Sequence, residues 1–233
     1  MKYRNPSNRL NLIDFTKSLL LLLVVLVAGC SPRMETTQRI IERDDGEYVV
    51  TMLFDLSGSF DGMMCEGGVA YEFALQAIQK YFRDRIGTND KLVIAQISGI
   101  DRALLWEGTP HQLRKQFPSA RAFAAFLRSK SHPAGSCVHK AIADSVEYIL
   151  DKPHKRSAVL VISDMLDTGP QDGRTTALEV LGKFATRNGV VGLYYVDPKL
   201  VSGWKADLQS AGFNEFCVES AIVARPTLPS FED

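Results

Sequence analysis

Four stretches of this chain are almost continuously apolar: Val49 to Phe54, Lys91 to Ile97, Ser157 to Ile162 and Val190 to Val196. Strands that face solvent on one side alternate apolar and polar residues, whereas these runs require strands covered on both faces. Between them the apolar positions recur at three and four residues, as in Tyr71, Leu75, Ile78 and Phe82, in Val138, Ile142, Val146 and Ile149, and in Leu178, Leu181 and Phe184. That spacing predicts amphipathic helices, with shorter ones over Ala120 to Leu127 and Trp204 to Leu208, the last with Ser202 as its N-cap. Weaker strands fit Arg102 to Trp106 and Glu215 to Val218. The expected fold class is α/β: a doubly wound, mostly parallel six-stranded sheet with helices on both faces. The link after Ile97 is short, so the Arg102 to Trp106 strand is expected to pair antiparallel at an edge.

The N-terminus has a different fate. Lys2, Arg4, Arg9 and Lys17 precede the apolar run Leu19 to Ala28, and Leu26-Val27-Ala28-Gly29-Cys30 follows. Ten apolar residues are too few for a spanning helix, which needs about 20, and suit the apolar core of a secretory signal. The segment resembles a bacterial lipobox, which implies cleavage before Cys30 and acylation of that cysteine. Residues 1–29 are then a lipoprotein signal peptide and 30–46 the acylated Cys with a polar tether. The body is residues 47–220, with a C-terminal tail over 221–233. Residues 31–46 reach about 55 Å extended and roughly 20 to 25 Å as a coil, which keeps the body near its membrane. The implied location is the extracytoplasmic side of the cell envelope. Ser31 after the cysteine favours the outer membrane if the cell is Gram-negative.

The whole chain balances 27 Lys+Arg against 27 Asp+Glu over 233 residues. Without residues 1–29 the balance is 23 basic to 26 acidic. Neither sum suits a general polyanion binder, so nucleic acid is not an expected partner.

In open α/β sheets ligands bind beyond the carboxyl ends of the strands. The first strand ends in Asp55-Leu56-Ser57-Gly58-Ser59, the loop before the Val138 helix contains Ser136, and the third long strand ends in Ser163-Asp164. Alternate residues in extended or turning backbone point one way, so Asp55, Ser57 and Ser59 can converge on one small cation. Two carboxylates and three hydroxyls are hard oxygen ligands that suit Mg²⁺ or Mn²⁺. The alternative is that these residues only cap helices and turns.

This order of residues resembles the von Willebrand factor type A (vWA) domain with its metal-ion-dependent adhesion site. Asp55, Ser57 and Ser59 match the family's D-x-S-x-S turn, Ser136 stands at its Thr position and Asp164 at its final Asp. Two departures bear on geometry: Ser136 lacks the Thr methyl group, and Met165 stands where the family usually has Gly. The resemblance implies an underneutralised cation that accepts an Asp or Glu carboxylate from a protein partner, and no catalysis. It also places Cys65 and Cys137 on neighbouring loops beside the metal, where outside the cytoplasm they either form a disulfide or stay separate thiols. Cys217 is expected to be a buried small hydrophobe. A zinc site from Cys65, His132, Cys137 and His139 has no common spacing. Asp101 and Asp197 follow strands and can reach the same face. Two other readings stand beside the leading one: an envelope scaffold with no metal role, and a phosphohydrolase of the haloacid dehalogenase type. The second lacks its acid, because Ser57 stands two residues after Asp55.

Overall fold

A computed structural model describes residues 48–83, 88–98, 103–131, 135–170, 172–223 and 226–229. The expectations for Cys30, the signal segment, the tether, Asp101 and His132 fall outside these residues. No helix among the described residues is long and apolar enough to cross a membrane.

The six strands are β1 (Tyr48–Phe54), β2 (Lys91–Gln96), β3 (Leu104–Gly108), β4 (Arg156–Ile162), β5 (Val190–Val196) and β6 (Phe216–Ser220). They form one sheet in the order β3-β2-β1-β4-β5-β6. All neighbours pair parallel except β2 and β3, the antiparallel edge expected from the short link. The four apolar runs become β1, β2, β4 and β5, the inner strands, each nearly wholly buried. The helices among the described residues are α1 (Asp61–Met64), α2 (Val69–Phe82), α3 (Pro110–Gln116), α4 (Ala120–Arg128), α5 (Val138–Leu150), α6 (Gly173–Ala185) and α7 (Val201–Ser210).

Two apolar cores flank the sheet. One face packs α5, α6 and α7 through Val138, Ile142, Val146, Leu181, Phe184 and Trp204. The other packs α2 and α4 through Tyr71, Phe73, Ala74, Phe82, Phe123 and Leu127. Tyr194 and Tyr195 are consecutive yet both join this second core. A register shift between Tyr194 and Val196 and a left-handed Tyr195, φ 66°, turn the second ring onto the side of the first.

Two local expectations change. Helix α3 has no strong apolar period, yet Thr109 and Gln112 close a reciprocal capping box at its start and Pro110 occupies the first turn. Ser202 does not cap α7: the helix starts at Val201 after Leu200, and no side chain caps it.

Candidate functional site

The strand order reverses between β1 and β4, and the loops leaving these two strands bound the crevice where such sheets take ligands. Backbone pairing continues past the strand ends. Asp55 N–H donates to the Ile162 carbonyl (3.0 Å), Ser163 N–H to Tyr194 (3.1 Å) and Asp197 N–H to Asp164 (2.9 Å). The residues after each strand are therefore held as firmly as the strands themselves.

Asp55 is fully buried. Its Oδ1 accepts from the Ser57 backbone N–H (3.0 Å) and from Ser136 Oγ (3.2 Å), and its Oδ2 accepts from Ser163 Oγ (2.7 Å). Ser57 Oγ and Ser59 Oγ stand 3.2 Å apart. Ser57 and Ser136 are buried, whereas Ser59 is exposed. Asp55 thus gathers the hydroxyl protons of Ser136 and Ser163, which leaves the lone pairs of Ser136 free to face a positive ion.

Ser136 is positioned by three neighbours. It bridges Ser98 in antiparallel fashion, and Cys137 N–H donates to the Ile97 carbonyl (3.3 Å), so the loop extends the sheet beside β2. Its own carbonyl accepts both the N–H (2.8 Å) and the hydroxyl (3.1 Å) of Thr168. A Cβ at Gly135 would stand 2.1 Å from Thr168 Oγ1, so no larger residue fits this crossing without a shift. The loop after β4 is locked in turn. Asp167 accepts from the N–H groups of Val138 (3.2 Å) and His139 (3.4 Å), and from Gly169 (2.7 Å). It also pairs with the His139 ring, which stacks on Trp204. A carboxylate from another loop therefore satisfies the first turn of α5.

Asp164 lies in the same loop and is half-buried. Its Oδ1 accepts the Leu166 N–H at 3.0 Å. Burial pushes its carboxyl above the ordinary carboxylate range, the Leu166 bond offsets part of that, and the charges of Asp55 and Asp197 add to the rise. No salt bridge among the described residues neutralises Asp55 or Asp164. Adjacent oxygens around Mg²⁺, with bonds of about 2.1 Å, stand about 3.0 Å apart. The 3.2 Å spacing of Ser57 and Ser59 and of Ser136 and Asp55 fits that polyhedron. The buried Ser98 hydroxyl, without a hydrogen-bond partner, adds an oxygen next to Ser136. The donor set fits a hard divalent cation, which Ser57, Ser59 and Ser136 could hold through their hydroxyls while Asp55 and Asp164 would supply charge.

By sequence, no family model and no curated protein matches the chain. By structure it is similar to the PilB minor pilin from Streptococcus sanguinis, with a TM-score of 0.52 at 10% identity, covering 78% of this chain and 59% of that one. The chain thus spans less than two thirds of the pilin's length. Likeness to the SpRpn10 VWA domain has a TM-score of 0.49 at 9% identity, covering 74% of this chain and 88% of that one. For the TFIIH p34 N-terminal domain the values are 0.47, 11%, 76% and 93%. The fold shared with the pilin is α/β: a doubly wound, mostly parallel six-stranded sheet with helices on both faces.

All five predicted metal-site residues lie at this edge. Asp55 directly joins Ser57 and Ser136, Ser57 joins Ser59, and Asp164 meets Asp55 through its charge. Sequence reasoning passed over Ser163, Ser98, Asp167 and Thr168. Only Ser163 carried a signal, as a polar residue at the end of a buried strand.

The cysteines depart from the bridge considered above. Cys65, Cys137 and Cys217 are all free thiols. Cys65 turns back and donates to the Gly62 carbonyl (3.2 Å), while Cys137 packs against Gly169 of the post-β4 loop. Nor do Cys65, Cys137 and His139 form a metal centre: no group of three or more His, Cys, Asp and Glu is placed to hold an ion among the described residues. Cys217 is half-buried and polar in its contacts, donating to Glu219 (3.3 Å). Burial first, then the Glu219 contact, pushes its thiol up to about 11. A cavity of about 390 Å³ opens beneath α5 near Ala95, Leu104 and Ser145 and includes none of the site residues.

Proposed function

We propose that this vWA-like domain binds a divalent cation, Mg²⁺ or Mn²⁺, through Ser57, Ser59, Ser136, Asp55 and Asp164, and through it captures an Asp or Glu carboxylate of a protein partner. The observation that carries this reading is the hub at Asp55. A buried carboxylate orients hydroxyls from two loops beside a second carboxylate, and no salt bridge among the described residues neutralises either. Such a site is stable when a cation supplies the missing charge, and neutral hydroxyl ligands leave that cation electrophilic enough to take one more anion.

The same geometry supports binding over catalysis. Both oxygens of Asp55 accept hydrogen bonds and its side chain is wholly buried, which is unsuited to in-line attack by a phosphohydrolase nucleophile. The motif around Cys30 supports a lipid-anchored envelope protein, the tether holding the domain near its membrane.

Calorimetric titration of Mg²⁺ and Mn²⁺ into the full chain, beside Ser59→Ala and Ser136→Ala variants, tests the site. Saturable heat weakened in both variants is expected. Absence of saturable binding by the unaltered chain would overturn the cation reading and leave the scaffold alternative.

A further inference from the structure

The neutral charge total conceals a segregation. Residues 108–143 contain no Asp or Glu and six Lys or Arg, so the rest of the chain holds 21 basic residues against 27 acidic. Lys140 pairs with Asp144. The other five, Arg114, Lys115, Arg121, Arg128 and Lys130, are exposed, and none pairs with a carboxylate among the described residues. All five lie on or just beyond α3 and α4.

This hairpin is mounted against the cation site. Phe123 of α4 meets the ring of Phe54, the last residue of β1, and Tyr71 donates to the Ala120 carbonyl. Ser131, directly after Lys130, donates through Oγ to the Leu56 carbonyl (2.9 Å), inside the D-x-S-x-S turn. The acid-free segment then continues to Ser136 itself. Lys130 therefore neighbours a residue bonded into the turn that carries Ser57 and Ser59.

We infer that α3, α4 and Lys130 form a basic docking face for an acidic polypeptide segment whose last Asp or Glu carboxylate enters the cation site. The inference rests on the cation-dependent reading above. An anionic protein segment fits better than a lipid surface. An interfacial helix must offer its apolar side to the bilayer, whereas Phe123, Ala124 and Leu127, the apolar side of α4, are buried in the core. Cation and basic face also need each other. Asp55, Asp164 and Asp197 repel an acidic segment at the cation site until a divalent ion neutralises them.

The test is fluorescence anisotropy of a labelled oligo-glutamate with the full chain in neutral detergent, with Mg²⁺ or with EDTA. The variant Arg121→Glu/Arg128→Glu/Lys130→Glu is compared with Lys183→Glu/Lys199→Glu/Lys205→Glu, an equal charge change at exposed lysines of other elements. With Mg²⁺ at about 50 mM salt, the first variant should bind about tenfold more weakly than the unaltered chain, and the second within about twofold. The gap should close at about 300 mM salt. Equal loss in both triple variants would overturn the docking face. Mg²⁺-dependent binding untouched by the first variant would overturn the face and leave the cation site standing. Binding sensitive to that variant but indifferent to Mg²⁺ would overturn both the cation reading and the entry of the carboxylate into the site. Tighter, variant-sensitive binding to phosphatidylglycerol vesicles than to oligo-glutamate would assign the face to lipid and overturn the proposal.

Discussion

Met165 lies directly after Asp164 with φ 63°, in the left-handed region, and its side chain is 2% exposed. A left-handed backbone costs an L-residue with a Cβ about 1–2 kcal/mol, and glycine almost nothing. Two contacts hold the residue there: its N–H donates to Ser163 Oγ (2.9 Å), and its side chain packs in the core beside α5 and α6. Truncation to alanine removes the packing and keeps the strain, which should destabilise the domain by about 2–5 kcal/mol. Glycine removes the same packing and also the strain, less about 0.5–1 kcal/mol for its greater freedom in the unfolded chain. Met165→Gly should therefore be as stable as Met165→Ala or about 1 kcal/mol more stable. At an ordinary position the order is reversed, alanine leading by about 0.5–1 kcal/mol. Guanidinium unfolding of both variants reads the difference directly, provided their m-values agree. Met165→Ala proving clearly more stable than Met165→Gly would refute a strained backbone at this position.

Three further outcomes follow from particular contacts. Ser163→Ala leaves a buried Asp55 oxygen short of its 2.7 Å donor and the Met165 N–H short of its acceptor, so chemical denaturation should show a loss of about 1–3 kcal/mol. Burial pushes Glu107 upward, yet hydrogen bonds from Lys152 (2.6 Å) and Tyr148 and the charges of Lys152 and Lys91 outweigh it and hold the carboxyl below its ordinary value. A depressed carboxylate stabilises above its unfolded pKa and loses that contribution as pH falls through the folded one. Lys152→Met should accordingly cost about 1–3 kcal/mol at neutral pH and flatten the decline in stability below about pH 4, read from urea midpoints across pH. Labelled fatty acid should enter the chain in a bacterial host and be absent from Cys30→Ser; equal labelling of both would refute acylation at Cys30.

What was legible in the sequence divides by the range of the interaction that decides it. The inner strands were readable because burial on two faces demands apolar residues at consecutive positions, so the cause lies within each segment. Helix α3 was equally local, since Thr109 and Gln112 are three residues apart, but a capping signal without a strong apolar stripe carries little weight against a loop. Ser57 and Ser59 were visible because a single residue separates each neighbour in the turn. The Asp55 hub was not: its partners Ser136 and Ser163 lie 81 and 108 residues away, and no spacing rule reaches that far. The choice between a Cys65–Cys137 bridge and two thiols was open in the sequence for the same reason. Topology can assign two cysteines to neighbouring loops, but Sγ direction depends on local turns, here a bond from Cys65 back to Gly62. It follows that the D-x-S-x-S string alone is insufficient for such a site. With alanine at both 136 and 163, the string would survive while the carboxylate of Asp55 lost both hydroxyl donors, leaving a buried charge with the Ser57 N–H alone and no oriented hydroxyl from the second loop.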